Sequence, residues 1–387
     1  MAGISDIRVF VPRPMITLEE VVARRVEEDQ RLARHLSRAV QTTGQRRIRF
    51  PEPWEDTVTM AAEAARAAMR SNDHHDWSGL RYLSVGTESG VDHSKPVSAY
   101  VQGALQGAGL PVPDTLSSFQ VQHACAAGTV SLLSTSALLA AGGAPSESGL
   151  VIASDVARYS ARSTAEITQG AGAVAILVEN DPGLIALDLA STGYCSRDVD
   201  DFFRPNGQET PRVKGRYSIQ VYSQNLEAAF LDHCRRRGED PADVLGQTDL
   251  FVLHTPFRNM PELAMQRLLN RTLGLTCEEA EDFLDSRGFY AGIDPVADVG
   301  NIYTGSMYLC LASLLSDRFQ VWGDSLVGRR ILMASYGSGN TMIVLSGVVA
   351  PGAPEVLSRW DLGGTLRNTR EAAFREYASR TRRFGAR

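Results

Sequence analysis

The sequence has 387 residues, of which 43% are hydrophobic and 22% charged, a balance typical of a globular protein with a large buried core. Its formal net charge of −6 gives no overall attraction to nucleic acid or to an anionic membrane, so an anionic ligand must meet a local basic site. The five cysteines are widely spread and include no CxxC pair, which excludes a disulfide framework and a structural zinc site.

The first half of the chain alternates strand patterns with helix patterns. We predict strands at 5–12, 80–89, 117–124, 148–158 and 172–180, helices at 17–25 and 56–70, and a long helix of small residues that Cys125 opens. Thr17 and Glu20 are predicted to form a capping box at the first helix. The last two strands are apolar runs of the kind found in sheets that are buried on both faces.

The longest stretch of low charge, 124–144, is interrupted by Ser, Thr and Gly and predicts a buried helix rather than a membrane span. The first twenty residues contain no basic segment followed by an apolar run, so we expect no secretory signal. We therefore expect a cytoplasmic protein.

The second half repeats the alternation. We predict helices at 218–238, 260–274 and 305–319, a buried strand at 248–255, two strands within 329–349, and an exposed helix at 365–384 in an Arg-rich tail. Alternating strands and helices favour α/β layering. In each half a strand leads into a small-residue helix, which Cys125 opens in one half and Asn301 precedes in the other. This arrangement indicates a duplicated fold.

Cys125 has two interpretations. A free cysteine is often a small buried hydrophobe. A thiol at a helix N-terminus can instead be partly ionised by the helix dipole and act as a nucleophile.

Like Cys125, three further polar residues are predicted to fall where strands end: Glu88 in "VGTESGVDHSK", His254 in "FVLHTPF" and Asn301 in "GNIYTGS". A cysteine nucleophile needs a partner for its thiolate, usually a histidine, and a carboxylic acid can move protons during carbon–carbon bond formation. Each also has a structural explanation, as a solvated loop carboxylate, a hydrogen-bonded core histidine and a helix cap.

The sequence resembles hydroxymethylglutaryl-CoA synthases, within the thiolase and ketoacyl-synthase superfamily, up to about residue 349. Ten motifs carry the resemblance in order: "DTVTMAAEAA", "VGTESGVDHSK", "ACAAGT", "VIASDVARY", "TQGAGAVAILV", "DFFRPN", "GRYSIQVY", "HTPF", "GNIYTGSMYL" and "SYGSG". The resemblance implies a thiolase-like duplicated αβαβα five-layer fold and a homodimer. It divides the chain into an N-terminal half, 1–183, with Glu88 and Cys125, a C-terminal half, 184–350, with His254 and Asn301, and a tail, 351–387.

The resemblance also implies a mechanism. Cys125 would take an acyl group from a thioester, and His254, assisted by Asn301, would hold the thiolate and the carbonyl of the acceptor. Glu88 would assist enolisation of the acyl-cysteine and protonate the alkoxide formed on attack at a β-ketoacyl thioester, before hydrolysis releases the product. Partial burial is expected to raise the pKa of Glu88 toward neutrality.

Further residues would line or support this site by the same resemblance. The proposed substrate-binding residues are Thr168, Asp201, Tyr336, Gly337, Ser338 and Arg258, and Asp155 would support them. The backbone of "SYGSG" would supply N–H donors near the acyl oxygen. We expect no metal and no cofactor, with acyl-CoA or acyl-carrier-protein thioesters as substrates, and neither nucleic acid nor membrane as a partner. "TQGAGA" at 168–173 lacks the phosphate-loop signature and is interpreted as close packing.

The chain departs from the family pattern at the nucleophile and near His254. Ala126 stands where the family carries tyrosine, and His123 is new in "QHAC". Asn259 and Glu262 occupy positions where the family has basic residues that meet CoA phosphates, which leaves Arg258 nearby. Each lost phosphate contact would weaken CoA binding by about 1–2 kcal/mol.

Three functions remain open from the sequence: a CoA-dependent hydroxymethylglutaryl synthase, a carrier-protein-dependent relative that installs β-branches in a natural-product pathway, and a non-catalytic homologue. Retention of Glu88, Cys125, His254 and Asn301 argues against the third.

Overall fold

A computed structural model describes residues 2–208 and 210–382. The strands are β1 Gly3–Phe10, β2 Pro14–Thr17, β3 Arg47–Arg49, β4 Leu80–Gly86, β5 Ser117–Val121, β6 Ser148–Ala157, β7 Gly170–Glu179, β8 Ile185–Ser196, β9 Phe202–Phe203, β10 Arg212–Val213, β11 Leu250–Leu253, β12 Arg330–Gly337, β13 Thr341–Val349 and β14 Arg370–Glu371. The helices are α1 Leu18–Glu28, α2 Ala33–Thr43, α3 Thr57–Ser71, α4 Val97–Gly107, α5 Ala127–Gly142, α6 Gly215–Arg237, α7 Pro241–Gln247, α8 Asn259–Leu273, α9 Cys277–Asp285, α10 Phe289–Val299, α11 Ser306–Trp322, α12 Ala353–Ser358, α13 Leu362–Arg367 and α14 Phe374–Arg382.

The large sheet is built from two similar halves. Its nine strands run in the order β11-β12-β13-β8-β1-β7-β6-β4-β5. In the N-terminal half, β4 is parallel to β6, and β7 and β1 follow as antiparallel neighbours. In the C-terminal half, β11 is parallel to β12, and β13 and β8 follow in the same antiparallel manner. The halves meet where Gly3 and Ile4 of β1 pair with β8. This repeated order confirms the predicted thiolase-like fold.

Helices form the remaining layers. α5 packs on β4 and β6, α11 packs beside β11, and the two helices are joined by a 2.9 Å hydrogen bond between Thr129 Oγ1 and Tyr308 OH. α3 and α4 cover the other face of the N-terminal sheet, and α6 and α8 cover the C-terminal half. A fully buried aliphatic side chain contributes about 1.5–3 kcal/mol, so these interfaces hold the two halves in one fixed arrangement.

The start of α3 shows how local sequence sets these elements. Asp56 accepts a hydrogen bond from the N–H of Thr59, and the Thr59 hydroxyl bonds back to the N–H of Asp56, which makes a capping box. At α1 the Thr17 hydroxyl accepts from the N–H of Glu20, and no return bond from the Glu20 side chain accompanies it among the described contacts. The predicted box at Thr17 is therefore half formed.

α5 is a core helix, as predicted. The segment Ala124–Gly142 has the length and mean hydropathy, 1.6, of a membrane span, but 56% of that window is buried inside the fold. Its apolar residues fill the space above β4 and β6, and Leu138 on the outer side is exposed.

The tail differs from the exposed helix predicted at 365–384. Arg370–Glu371 forms a strand that pairs with β2, and the α14 residue Tyr377 is fully buried. Its hydroxyl accepts from Gln169 Nε2 at 2.6 Å, so a side chain from the core fixes this end of the chain. The predicted helix is present at 365–367, as the end of α13, and at 374–382, as α14. The prediction was wrong at 368–373 and in the exposure of Tyr377, because the tail's few aromatic residues dock on the core. Residues 383–384 lie outside the described residues.

A buried arginine, Arg49, binds the backbone of the segment that precedes β14. The guanidinium of Arg49 donates to the carbonyl oxygens of Pro12, Leu366 and Asn368 at 2.6–3.1 Å. Burial lowers the pKa of Arg49 to about 10, so it keeps its charge at neutral pH and ties the tail to the first strands of the chain.

Candidate active site

Cys125 lies between the end of β5 and the start of α5. The preceding residue, Ala124, has a φ of +42°, a conformation that costs a non-glycine residue of order 1–3 kcal/mol. This turn leaves Cys125 8% exposed at the wall of a cavity of about 480 Å³.

The structure brings the widely separated polar residues together. His254 follows β11 and Asn301 follows α10, and both line the same cavity as Cys125. The prediction of a strand before Asn301 was wrong, because the apolar residues of 289–299 form a helix that packs on α11. Glu88 follows β4, and its Oε2 lies 3.5 Å from Cys125 Sγ. The four side chains therefore converge from segments up to 213 residues apart, the separation of Glu88 and Asn301 in the sequence.

The surroundings of Cys125 favour the thiol over the thiolate. Burial, followed by the charges of Glu88 and Asp155, raises its pKa well above the ordinary value. Of the two interpretations that the sequence left open, the one based on the helix dipole expected a lowered pKa instead. The loss of solvent and the two neighbouring carboxyls raise the pKa and outweigh the lowering effect of the α5 dipole.

The carboxyl of Glu88 is buried, with 6% of the residue exposed. Burial first, and the nearby Asp155 second, raise its pKa to about 8, in the predicted direction. The other oxygen, Oε1, has no hydrogen-bond partner among the described residues. Glu88 is thus mostly protonated at pH 7 and close to its titration point, which suits a group that both takes and returns a proton.

Asp155 supports the loop that carries Glu88. One of its oxygens accepts from the N–H of Glu88 at 3.0 Å, and the other accepts from the N–H of Thr304 at 3.1 Å. The first of these oxygens, Oδ1, also accepts from the Thr87 hydroxyl and from the N–H and hydroxyl of Ser89. The carboxylate joins the ends of β4 and β6 to the turn before α11.

His254 is 2% exposed, and its backbone N–H donates to the carbonyl oxygen of Ala334 at 2.7 Å. Burial lowers the pKa of His254 to about 3, so its ring is neutral at physiological pH. Tyr222 OH fixes the backbone by donating to the carbonyl of His254 at 2.8 Å. The neutral ring can donate one hydrogen bond and accept another.

Asn301 is held in one orientation. Its Oδ1 accepts from the N–H of Tyr303 at 2.8 Å and from Ser306 Oγ at 3.0 Å. Its amide nitrogen is therefore directed to Tyr159 OH, 3.4 Å away. The preceding Gly300 has a φ of +90°, and a Cβ there would meet the carbonyl oxygen of Gln169 at 1.8 Å, so only glycine permits this turn.

The other predicted residues fall into three groups. Thr168, Tyr336 and Ser338 line the cavity. Asp201 lies behind them, where it accepts from Tyr336 OH at 2.5 Å and from the N–H of Gly339 at 3.0 Å. A Cβ on Gly337 would lie 2.5 Å from the carbonyl oxygen of His123, so glycine is required for the loop to approach the nucleophile.

Arg258 is not among the residues that line the cavity. Its guanidinium pairs with Asp294 at 2.8 Å and with Glu262 at 3.0 Å. A phosphate contact from Arg258 would require it to leave one of these carboxylates. The two departures from the family pattern at the nucleophile, Ala126 and His123, also lie outside the cavity lining.

Two walls of the cavity were missed in the sequence. One is aromatic, where Tyr159, Phe202 and Tyr303 pack edge to face with ring centroids 6.0–6.2 Å apart. The other is polar and comes from α2, with His35 and Arg38 at the exposed rim. No motif marked α2, although its apolar spacing at Leu36, Ala39 and Val40 is helical.

Glu88 makes the stability of the protein depend on pH. An ordinary glutamate titrates at 4.5 and Glu88 at about 8, so between these values the folded state binds the extra proton. The contribution of Glu88 to the free energy of unfolding is fully present below pH 4.5. It falls as pH rises toward 8, by up to about 1.4 kcal/mol per pH unit. We expect Glu88→Gln to melt above the wild type at pH 8, with a smaller difference at pH 5, in thermal melts over this range.

An exposed carboxyl gives the control for this prediction. Glu371 lies on the surface in β14, and Glu371→Gln should leave the pH dependence of the melting temperature unchanged. A Glu88→Gln protein that keeps the wild-type pH dependence would show that Glu88 titrates normally.

The fold and the site together define a class. Enzymes of the thiolase class form or break carbon–carbon bonds on acyl thioesters, and the repeated strand order with a cysteine before the central helix places this protein among their relatives.

Comparisons with known proteins identify the family. Models described as hydroxymethylglutaryl-coenzyme A synthase N terminal and C terminal match residues 2–182 and 291–383. The hydroxymethylglutaryl-CoA synthase of Enterococcus faecalis is 32% identical over 375 residues, covering 97% of this chain and 90% of the relative. The chain belongs to the hydroxymethylglutaryl-CoA synthase family, as a divergent member, and is an acyl-transferring enzyme that forms carbon–carbon bonds.

The names of two further relatives differ in the carrier of the 3-hydroxy-3-methylglutaryl group, which is coenzyme A in one and ACP in the other. The structure of MvaS in complex with 3-hydroxy-3-methylglutaryl coenzyme A superposes with a TM-score of 0.86 at 32% identity, over 98% of this chain and 91% of that one. The polyketide biosynthesis 3-hydroxy-3-methylglutaryl-ACP synthase PksG of Bacillus subtilis is 29% identical over 315 residues, covering 78% of this chain and 71% of PksG.

Proposed function

We propose that Cys125 takes an acyl group from a thioester and that the acyl-cysteine then adds to a β-ketoacyl thioester, followed by hydrolysis. The observation that carries this proposal is the 3.5 Å contact between Cys125 Sγ and the buried carboxyl of Glu88. Glu88 is not itself a lining residue, but Cys125 lines the same cavity as His254 and Asn301. A nucleophile, a proton carrier and two carbonyl partners are the groups that such a condensation needs.

In the first step Cys125 Sγ attacks the carbonyl carbon of the donor thioester. The bond to the donor's sulfur breaks, and the proton lost from Cys125 ends on the departing thiol. The neutral ring of His254 donates a hydrogen bond to the sulfur as negative charge develops there. N–H groups of the loop Tyr336–Ser338 stabilise the oxyanion of the tetrahedral intermediate.

In the second step ionised Glu88 removes a proton from the methyl group of the acyl-cysteine. The enolate carbon attacks the ketone of the acceptor, and Glu88 returns the proton to the new alkoxide. The amide of Asn301 and the ring of His254 bind the acceptor's thioester carbonyl. Water then cleaves the bond between the acyl group and Cys125, which restores the thiol and frees the product.

The rim of the cavity supplies the local basic site that an acidic protein needs for an anionic substrate. His35 and Arg38 lie there on α2, and no ion pair engages Arg38 among the described contacts. We therefore assign the phosphate groups of CoA, or of a carrier-bound phosphopantetheine, to this side of the cavity. No metal or cofactor has a part in the proposed steps. Among residues 2–208 and 210–382, no group of three His, Cys, Asp or Glu side chains is arranged to hold a metal ion.

A carrier-protein substrate is the second candidate, and the state of Arg258 favours it. Asn259 and Glu262 add no positive charge beside it, and its own charge is balanced by Glu262 and Asp294. A carrier-bound thioester needs fewer cations, since it lacks the adenosine phosphates of CoA.

Incubation with acetyl-CoA and acetoacetyl-CoA, with product analysis by mass spectrometry, tests the proposal. We expect 3-hydroxy-3-methylglutaryl-CoA, and a rise in KM of about tenfold in Arg38→Ala as one charge-assisted contact is lost. Condensation only when the acyl groups are on a carrier protein identifies the second candidate. Failure to condense either pair of substrates contradicts the proposed function.

We propose further that the enzyme is a cytoplasmic homodimer. β5 is the edge strand of the nine-stranded sheet, and its outer side carries no partner strand among the described residues. Beside it, α5 exposes Leu138. An open edge and an apolar helix face next to each other suit association with a second copy.

A further inference from the structure

The segment Asp201–Arg204 touches both halves of the cavity. At its start Asp201 accepts from Tyr336 OH of the C-terminal half. Phe202 then packs edge-on against Tyr159 at 6.2 Å between ring centroids. The last residue of the segment crosses to the N-terminal half, so four residues link loops that lie far apart in sequence.

Arg204 makes that crossing. Its Nη2 donates to the backbone carbonyl oxygen of Glu88. On the other side, the N–H of Glu88 donates to Asp155 at 3.0 Å. The backbone of Glu88 is thus held by a carboxylate at its N–H and by a guanidinium at its carbonyl.

The carboxyl group of Glu88 depends on this backbone hold. Its Oε2 makes one contact, with Cys125 Sγ at 3.5 Å, and its Oε1 makes no hydrogen bond among the described residues. Hydrogen bonds of the side chain itself therefore do little to fix its position, and the backbone contacts set its distance from the acyl group.

Arg204 also balances the charge around Glu88. The other titratable groups that face Glu88 are Asp155, Cys125, Tyr159 and Tyr303. None of these is a cation. The Arg204 charge lowers the pKa of Glu88 against the raising effects of burial and Asp155. Arg204 does not itself line the cavity, so it acts on the reaction through Glu88.

We propose that Arg204 is a positioning residue for the condensation step, where its guanidinium fixes the backbone of Glu88 beside the acyl-cysteine and supplies the positive charge that favours the ionised carboxylate. This inference rests on the proposed function, in which Glu88 moves the proton.

The first test compares Arg204→Gln with Arg204→Lys. Loss of the cation should move the pH profile of condensation, measured on preformed acyl-enzyme, upward by about one pH unit. The condensation rate at pH 7 should fall roughly tenfold, whereas acylation of Cys125 should change less than about twofold. Arg204→Lys keeps the charge and should return the profile to within a few tenths of a unit of the wild type.

Arg212→Gln is the matched control. Arg212 lies on β10, paired with the strand just before Arg204, and its guanidinium lies over the ring of Phe203. Its loss perturbs the same hairpin without removing a contact to Glu88, so the pH profile should stay in place.

The pH dependence of thermal stability gives a second measurement that needs no turnover. The pH at which the Glu88-dependent stability is lost should shift upward in Arg204→Gln and stay unchanged in Arg212→Gln. That shift supports the inference even if no condensation product forms, in which case only the proposed function fails. A protein that condenses its substrates, but whose two profiles are the same in Arg204→Gln and wild type, overturns the role of Arg204 alone. A lysine variant shifted as far as the glutamine variant overturns the charge effect.

Discussion

We expect Cys125→Ala to form no acyl-enzyme and to lose at least about 10³-fold in turnover, because in the proposed mechanism no other group can replace the sulfur as the acyl carrier. Intact-protein mass spectrometry after addition of an acyl thioester should show one adduct on the wild type and none on the variant. Loss of one buried sulfur from a largely enclosed site leaves the fold intact, so the melting temperature should change little.

Cys277→Ala is the control for this result. Cys277 is exposed at the start of α9, away from the cavity lining, and its loss should leave the adduct and the rate unchanged. An adduct that persists in Cys125→Ala would place the acyl group elsewhere and remove the basis of the proposed mechanism.

Glu88→Ala is expected to acylate Cys125 and then fail to condense, with a loss of about 10²–10⁴-fold in the carbon–carbon step. Acetyl-cysteine has no carboxylate to lose, so its enolate must be formed by removal of a methyl proton. A carboxyl with a pKa of about 8 is a far stronger base than an exposed glutamate, and no other carboxyl lies in hydrogen-bond contact with Cys125 Sγ among the described residues.

Separate measurement of the two steps checks this prediction. Acylation is followed by mass spectrometry, and condensation by adding acceptor to the isolated acyl-enzyme. Glu55→Gln is the control, since burial also raises the pKa of Glu55, which lies outside the cavity lining. Condensation at the wild-type rate in Glu88→Ala contradicts the assigned role, and loss of acylation would instead make Glu88 a partner of the nucleophile.

Much of the fold was predictable because its long elements have strong local patterns. The apolar strands β6 and β7 and the Ala-rich α3 were predicted to within about two residues of their observed ends. The short strands β2, β3 and β14 were missed, since two to four residues carry no usable periodicity and form only by pairing with distant segments. The long strand β8, Ile185–Ser196, was also missed, because its buried and half-buried positions do not alternate regularly. The docked Tyr377 was missed for the same reason.

The candidate site, like the fold, was predicted only in part from the sequence. Motif resemblance selected Cys125, His254 and Asn301, which line the cavity, and Glu88, which contacts Cys125. It also selected Arg258, which does not line the cavity, and resemblance does not report local charge. The raised pKa of the Cys125 thiol depends on Glu88 and Asp155, which lie 37 residues before it and 30 residues after it in the sequence. The contact of Arg204 with Glu88 spans 116 residues and appears only in the folded chain.

The repeated strand order gives the cavity an approximate two-fold axis. Glu88 follows β4 and His254 follows β11, the equivalent strand of the other half, while Cys125 and Asn301 precede the equivalent helices α5 and α11. In the proposed mechanism the pair in the first half carries the covalent and proton-transfer chemistry, and the pair in the second half binds carbonyl groups. Two identical halves would present the same pair twice and could not distinguish donor from acceptor, so the order of the two substrates follows from the difference between the pairs.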